Sequence, residues 1–157
     1  MTEKKLAKIK PYFKSELADL YNVSVRKLIF WVTNINEIMQ IFEITGYKTN
    51  QRLFTLLQVE IIFKQLGHPK AINEKEIHIQ KRAELLPYSK NDLSKLYEIS
   101  TRVLLSQIYA ISDFRIKEQI LSEGFIGFHK IASNKKLFKK SEVELIFKYI
   151  GHPFKQN

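Results

Sequence analysis

The chain has 157 residues, of which 45% are hydrophobic, and its 26 Lys and Arg against 16 Asp and Glu give a formal net charge of +10 at pH 7. This hydrophobic content is enough to bury a core in one ordinary domain or in two small ones, and it excludes an intrinsically disordered chain. The absence of cysteine excludes disulfides, thiolate metal sites and an extracellular disulfide scaffold.

The strong positive charge indicates the class of partner that this protein binds. A surface this basic attracts polyanions, so nucleic acid leads, followed by anionic membrane surfaces and acidic proteins. Such a charge can also serve solubility alone. No stretch is apolar for long enough to span a bilayer, and the first residues, MTEKKLAKIKPYFK, lack the apolar core of a signal peptide. We therefore expect a cytoplasmic protein with no membrane contact.

The first predicted element is a short helix that begins near Ser15. Ser15 is a suitable N-cap, and Leu17 and Tyr21 follow at the i, i+4 spacing that places side chains on one helical face. Asn22 tolerates the left-handed conformation that a tight turn needs, so we expect the helix to end there. Ser24 then offers a second N-cap, for a helix over VRKLIFWV. The pattern predicts a helix, a short turn and a second helix.

Seven residues of this region have the spacing of a helix-turn-helix, in which a small residue lets the two helices cross closely. They are Leu17, Ala18, Asn22, Val23, Ser24, Leu28 and Trp31. The pattern LA..YNVS...L..W resembles that of MerR-like and excisionase-like winged helix-turn-helix proteins. This resemblance implies a small β-wing after the second helix and then a helix that packs on the motif. The segment GYKTNQRLFTLLQVEIIFKQLG fits this continuation, with a turn led by Gly46 and polar wing residues 48–51.

The unit ends with Gly67, His68 and Pro69. Gly suits the left-handed C′ position after a helix, and Pro prevents the helix from resuming. The ending recurs, because residues 61–69 read IIFKQLGHP and residues 145–153 read LIFKYIGHP. It could be a paired histidine site or a boundary mark. We interpret it as a boundary mark, because the histidines would lie at equivalent ends of two units and need not meet.

The repeated ending belongs to a duplication of the whole unit. Identities run from Pro11 and Pro87 to Leu28 and Leu104 at a constant offset of 76, and NQRLFTLLQVEIIFKQLGHP matches NKKLFKKSEVELIFKYIGHP at an offset of 84. Two copies indicate a pair of small domains rather than a solenoid. We predict a mainly α protein of two tandem winged helix-turn-helix domains, each with a small β-wing. The first spans 1–69 with a basic N-terminal tail, a linker follows over 70–85, and the second spans 86–157.

The second copy departs from the first at several positions. Ser94 replaces Ala18, Glu98 stands at the turn where Gly or Asn would be easier, and Gln107 replaces Trp31. The second copy also has a longer wing region, SEGFIGFHKIASNKKLF. We expect the fold to be kept while the tip of the wing differs.

The resemblance implies that the second helix of each copy enters the major groove of DNA and that the wing contacts the neighbouring backbone or minor groove. Arg26 and Arg102 are the best candidates for a base edge or a phosphate, because a guanidinium can pair bidentately with guanine or with phosphate. The other candidates lie in the first turn of these helices and around the wings. They are Ser24, Lys27, Lys48 and Arg52 in the first copy, and Ser100, Thr101, Lys135, Lys136, Lys139 and Lys140 in the second.

Apolar residues occupy positions further along these helices where polar or basic residues would be expected. Ile29 and Phe30 hold them in the first copy, and Val103 and Leu105 in the second. Apolar groups read few base edges apart from thymine methyls, so burial against the other copy or a partner is favoured. Ile29, Phe30 and Leu105 are therefore candidate contacts of a homodimer or a protein partner. A helix-turn-helix fold used mainly for protein contact remains the alternative to DNA binding.

Other chemistry has little support in the sequence. The acidic residues are scattered singly, and there is no Gly-rich phosphate loop or nucleophile motif, so we expect no enzyme activity and no cofactor. The four histidines lack metal-ligand spacing, so we expect no metal and interpret them as solvated surface residues: His68, His78, His129 and His152. Tyr21, Phe30 and Trp31 could stack on single-stranded bases, but aromatic residues at helical spacing are more often core.

Together these observations predict a cytoplasmic, nucleoid-associated protein that binds double-stranded DNA as a transcriptional regulator or a mobile-element accessory factor. Two DNA-binding units in one chain could grip two half-sites about one helical turn apart. A protein that coats DNA without sequence preference is a further alternative, which the Lys-rich charge allows. The abundance of Ile, Lys and Asn suggests an AT-rich bacterial genome.

Overall fold

The computed structural model describes residues 6–69, 81–121 and 136–155. Within these ranges the chain is mainly helical, with eight helices and two antiparallel sheets of two strands each, which confirms the predicted mainly α class. None of these helices is long and apolar enough to cross a membrane. We refer to residues 6–69 as the first repeat and to the described residues from 81 onward as the second repeat.

The two repeats contain the same elements in the same order. The first has β1 (Tyr12–Phe13), α1 (Lys14–Leu20), α2 (Val25–Thr33), α3 (Asn36–Ile44), β2 (Leu53–Phe54) and α4 (Leu56–Leu66). The second has β3 (Tyr88–Ser89), α5 (Lys90–Leu96), α6 (Thr101–Ala110), α7 (Phe114–Leu121), β4 (Leu137–Phe138) and α8 (Lys140–Ile150). Helices α3 and α7 were not among the elements predicted from the sequence.

The predicted tight turn joins the first two helices of each repeat. Asn22 has φ 54° and Glu98 has φ 57°, so both adopt the left-handed conformation, although Glu98 is an unfavourable residue for it. Ser24 accepts a hydrogen bond from the backbone N of Lys27 at 3.2 Å and caps α2, as predicted. Ser100 caps α6 in the same way through the backbone N of Val103. The turn and the start of the second helix therefore follow from local residue chemistry.

The start of α1 differs from the prediction because a strand directly precedes it. The N-cap is Phe13 rather than Ser15, and the Glu16 carboxylate accepts from the backbone N of Phe13 at 3.0 Å. Strand β1 pairs antiparallel with β2, which places Tyr12 opposite Phe54, and β3 pairs with β4 in the equivalent register. Each small sheet thus joins the segment before the first helix to the segment before the last helix. Residues 48–51, predicted as a wing, lie in the loop between α3 and β2.

The Gly-His-Pro ending ties the end of each repeat to its beginning. In the first repeat the backbone N of Ala7 donates to Pro69 O at 2.9 Å, and the His68 ring Nε2 lies 2.6 Å from Ala7 O. A carbonyl only accepts, so this ring nitrogen carries the proton. The Tyr21 hydroxyl donates to Gly67 O at 2.7 Å, and the His68 ring packs 4.6 Å from that of Phe63. We call this arrangement the closing lock.

The second repeat has the same closing lock, built from Ala83, Pro153, His152, Tyr97 and Phe147. Ala83, which was predicted to lie in the linker, is buried here and donates its backbone N–H to Pro153 O at 2.8 Å. The prediction of solvated histidines is wrong for His68 and His152, because both are half-buried, bonded to a carbonyl and packed on an aromatic ring. His78 and His129 lie outside the described residues.

The glycines of the lock have a positive φ, as predicted, but they are not left-handed helical. Gly67 has φ 88° and ψ 150°, and Gly151 has φ 112° and ψ 150°. This region of backbone space is open almost only to Gly. The prediction of a left-handed C′ position is therefore wrong. The chain leaves the helix in an extended direction, because it must return to the strand-like start of the repeat.

The two repeats pack against each other through unlike surfaces. Leu56, at the start of α4, lies in the hydrophobic core of the second repeat. A Cβ added to Gly151 would lie 2.6 Å from Leu56 Cδ2 and 2.7 Å from Leu57 N, whereas a Cβ on Gly67 would meet nothing within 4 Å. At a second contact, Gly46 has φ 67° and its added Cβ would lie 1.5 Å from Ala110 O. Equivalent glycines of the lock thus have different surroundings.

Ion pairs and hydrogen bonds, the latter from the backbone N and the hydroxyl of Ser112 to Ile44 O and Glu43 O, add to this contact between the repeats. The Lys8 ammonium pairs with the Glu98 carboxylate, and Arg82 pairs with Glu60. The backbone N of Ser112 donates to Ile44 O at 3.3 Å. These pairs are exposed or half-exposed, so each contributes about 0–1 kcal/mol at most. The apolar contact at Leu56 is therefore the larger source of stability between the repeats.

Because Gly67 and Gly151 have different surroundings, the same substitution should destabilise the protein by different amounts at the two positions. Each Gly→Ala substitution forces Cβ into a backbone region that costs about 1–3 kcal/mol. Gly151→Ala adds the clash with Leu56 and Leu57, so it should lower the free energy of unfolding by at least about 1 kcal/mol more than Gly67→Ala. Urea unfolding followed by circular dichroism measures both. Equal losses would contradict the described packing of the repeats.

The closing lock predicts a specific role for the His152 ring. His152→Phe keeps an aromatic ring beside Phe147 but leaves the carbonyl of buried Ala83 without its donor, which should cost about 1–3 kcal/mol of unfolding free energy. His152→Gln, whose amide can donate, is the control and should recover part of this loss. If Phe were tolerated as well as His, the hydrogen bond would not contribute to stability.

Candidate nucleic-acid interface

Helix α2, which follows the tight turn after α1, presents one face to solvent. Leu28 and Val32 are fully buried on the opposite face, where they pack in the core of the first repeat. At 100° per residue, Arg26, Phe30 and Thr33 fall together on the outer side. All three are exposed. The burial of Leu28 and Val32 therefore determines which side chains of α2 a ligand can reach.

The first turn of α2 carries two exposed basic side chains. Arg26 is exposed, and Lys27 is exposed with its ammonium 5.3 Å from the centre of the Trp31 ring. The cation–π contact holds Lys27 along the side of the helix. Helix α2 contains no acidic residue, and the partial positive charge of a helix N-terminus adds to these two charges. This end of α2 is therefore electropositive and accessible.

The predicted contacts Ser24 and Ser100 have a structural role. Each hydroxyl oxygen accepts from a backbone N–H of its own helix, at 3.2 Å in both repeats. Such a cap contributes about 1 kcal/mol to helix stability. Each hydroxyl keeps its own proton, with which it can still donate to a phosphate. Thr101, the first residue of α6, is half-buried.

The loop before β2 carries the other basic candidates of the first repeat. Lys48 and Arg52 are both exposed. The loop is held by Lys14, whose backbone N donates to Arg52 O at 2.9 Å and whose ammonium donates to Thr49 O at 2.8 Å. The Lys14 ammonium also lies 4.9 Å from the centre of the Tyr47 ring, and burial lowers the pKa of Lys14. Lys14 therefore positions the loop that presents Lys48 and Arg52.

Sequence reasoning did not single out Lys14, although a signal was present. Lys14 and Lys90 are identical at the offset of 76 residues. In the second repeat the backbone N of Lys90 donates to Lys136 O at 3.1 Å, the equivalent of the bond between Lys14 and Arg52. An identity retained in both copies of a duplication can mark a positioning residue as well as a contact residue.

Two described candidates of the second repeat, Arg102 and Lys136, occupy the same places as Arg26 and Arg52, whereas Lys139 and Lys140 lie after the strand rather than before it. Arg102 is exposed in the first turn of α6, and Lys136, Lys139 and Lys140 are exposed beside β4 and at the start of α8. The backbone N of Lys139 donates to the Glu142 carboxylate at 2.8 Å, which caps α8. Lys135 lies outside the described residues. The second repeat thus exposes one basic residue on its second helix and a Lys-rich segment near its sheet.

The helix α1 separates the two basic groups of the first repeat. The loop with Lys48 and Arg52 is bonded to the start of α1, and Arg26 follows the turn at its end. Helix α1, whose seven residues span roughly 10 Å, and the tight turn after it therefore lie between the two groups.

The apolar candidates for a partner contact lie in different surroundings. Ile29 packs against the core of the first repeat, and Leu105 packs against the core of the second. Phe30 is 65% exposed, so it is not buried against the other copy. Val103 is half-buried.

The other aromatic residues considered for base stacking contribute to the fold. The Tyr21 hydroxyl belongs to the closing lock, and its ring meets that of Phe63 edge to face at 6.3 Å. Burial raises the pKa of Tyr21, so its hydroxyl remains a protonated donor at neutral pH. Trp31 is half-buried beneath Lys27. Of the three, only Phe30 has a largely exposed ring.

Among the residues that the structure describes, no three His, Asp or Glu side chains lie close enough together to hold a metal ion.

Comparison with known proteins relates the first repeat to a family whose function is not known. Residues 8–69 match the model of a protein family described as a domain of unknown function (DUF4248). These bounds run from just after Ala7 to Pro69, the two residues that the closing lock joins. No match was found among curated proteins or among solved structures. The matched unit is therefore the first repeat, from its lock to its Gly-His-Pro ending.

Proposed function

We propose that this protein binds double-stranded DNA, with α2 and α6 as the helices that enter the major groove. The observation that carries the proposal is the recurrence of one exposed arginine, Arg26 and Arg102, in the first turn of a Ser-capped helix after a tight turn. A guanidinium there can pair with guanine in the groove or with a phosphate at its edge. The net charge of +10 supports a polyanionic partner.

The loops beside the two small sheets take the role of wings in this proposal. Lys48 and Arg52 in the first repeat, and Lys136, Lys139 and Lys140 in the second, contact phosphates and position the helices. Such contacts carry affinity but no sequence information. The relation to MerR-like and excisionase-like winged helix-turn-helix proteins, and the role of a transcriptional regulator or mobile-element accessory factor on the nucleoid, belong to this proposal.

A protein-contact function is the rival proposal. It relied on Ile29, Phe30 and Leu105 as a shared apolar surface, but Ile29 and Leu105 pack in their own repeats. A single exposed ring is small compared with the roughly 800 Å² per partner that stable protein interfaces bury. The exposed basic residues beside Phe30, Arg26 and Lys27, favour a polyanion such as DNA over an apolar protein surface.

We expect the affinity for a long mixed-sequence duplex to fall steeply as salt rises, because binding releases counterions from phosphates. Arg26→Ala combined with Arg102→Ala should weaken binding at least tenfold and reduce the salt slope by about 2 if both arginines contact phosphate. Gel-shift titrations at several salt concentrations measure both quantities. Absence of binding to the duplex at low salt would refute DNA binding.

The control for this experiment removes the same charge elsewhere. Lys64 and Lys148 lie at equivalent, exposed positions near the ends of α4 and α8. Lys64→Ala combined with Lys148→Ala should weaken binding much less than the arginine pair. Equal effects of the two double variants would mean that net charge, and not the second helices, determines affinity.

Selection of binding sites from random DNA separates a regulator from a protein that coats DNA. If Arg26 and Arg102 contact base edges, we expect an enriched motif that contains guanine in both half-sites. Arg26→Ala should relax the preference in one half-site only. Recovery of sequences without any enriched motif would favour coating.

A further inference from the structure

We infer that Phe30 reads the 5-methyl group of thymine in the major groove, so that the first repeat prefers thymine-bearing DNA. This inference rests on the proposed DNA binding. Phe30 is the most exposed large hydrophobic side chain among the described residues, at 65%. An apolar ring this open remains in contact with water unless an apolar group covers it, and covering it is favourable.

The position of Phe30 on α2 determines what such a partner can be. Phe30 lies one turn beyond Arg26, which is about 6 Å further along the helix axis and on the same face. Successive bases of one strand are about 3.4 Å apart, so Phe30 lies roughly two base steps from the base or phosphate that Arg26 contacts. Two exposed basic residues, Arg26 and Lys27, lie between it and the helix start. A partner that covers Phe30 must therefore present an apolar group to the ring and negative charge to the neighbouring Arg26 and Lys27.

Thymine in duplex DNA combines these two properties. Its 5-methyl group is the apolar feature that base pairs present in the major groove, and phenylalanine is among the side chains that contact it. The phosphates on either side supply the negative charge that Arg26 and Lys27 require.

The polar side chains near Phe30 are already engaged by the backbone. The Thr33 hydroxyl donates to Ile29 O at 2.8 Å, and the Asn34 side-chain amide donates to Phe30 O at 2.6 Å. The Thr33 hydroxyl proton and one of the two amide protons of Asn34 are thus bonded to backbone carbonyls, and the Phe30 ring is the exposed group one turn beyond Arg26 on the same face. Recognition at this point is apolar.

The second repeat lacks this feature and provides an internal control. Ser106 occupies the position of Phe30 at the offset of 76, and its hydroxyl donates to Val103 O at 2.8 Å. The two repeats therefore differ in what they can read beside their equivalent arginines. Preference for thymine is expected from the first repeat alone.

The test compares one mixed-sequence duplex made with thymidine and with deoxyuridine, which lacks the methyl group. The full chain should bind the thymidine duplex about fourfold more tightly, the value of one buried methyl-sized group. Phe30→Ala should bind both duplexes equally. Ser106→Ala should keep the preference, and so should Phe13→Ala, which removes an exposed phenylalanine outside α2. Circular dichroism verifies that each variant is folded.

The outcomes separate this inference from the proposal on which it rests. Equal binding of the two duplexes by the unaltered chain would refute thymine reading while leaving DNA binding intact. A preference that persists in Phe30→Ala would also refute it, because the methyl group would then be read elsewhere or through the shape of the duplex. Absence of binding to both duplexes at low salt would refute DNA binding itself.

Discussion

The closing lock is the constraint on which the rest of each repeat depends. Its backbone bond, His68 ring and Tyr21 hydroxyl join the first residues of the repeat to the end of α4. With both ends joined, β1 lies beside β2, and the loop of residues 48–52 lies against the start of α1. The orientation of α2 follows from its packing on this closed unit. The exposed face of α2 is thus a consequence of residues far from it in sequence.

The two repeats contribute different parts of their surface to the contact between them. The second repeat presents its Gly151 end to Leu56 of the first, while the Gly67 end of the first repeat has open space around it. At the position of Leu56 the second repeat has Lys140, an exposed charge. The apolar residue that the first repeat inserts into its neighbour, Leu56, therefore has no counterpart in the second repeat. Burying the Lys140 ammonium in the same way would cost the free energy of its hydration.

Features of the fold that are determined within a few residues followed from the sequence, whereas those that join distant segments did not. Asn22, Ser24 and the helix over Val25–Thr33 were predicted correctly, because a turn conformation and an N-cap are determined within three or four residues. The pairing of Tyr12 with Phe54 and the role of Lys14 were not predicted, because each joins segments about 40 residues apart and leaves no local pattern. The basic residues predicted to contact DNA from their charge and position are exposed where the structure describes them, whereas Ser24 and Ser100 cap their helices, a role that the sequence analysis did not separate from DNA contact.

The sequence by itself determined the duplication, the tight turn between the first two helices of each repeat, the Gly-His-Pro endings and the surplus of basic charge. Identity at constant offset and short-range residue chemistry are properties of the chain alone. Only the tertiary structure decided that His68 and His152 close the repeats. It also decided that Gly151 has no room for a Cβ atom, whereas Gly67 has. The same holds for Ile29, which is packed, and its neighbour Phe30, which is exposed. The reason is that adjacent apolar residues on a helix differ by 100° in direction, and which direction faces protein is settled by the elements that pack around it.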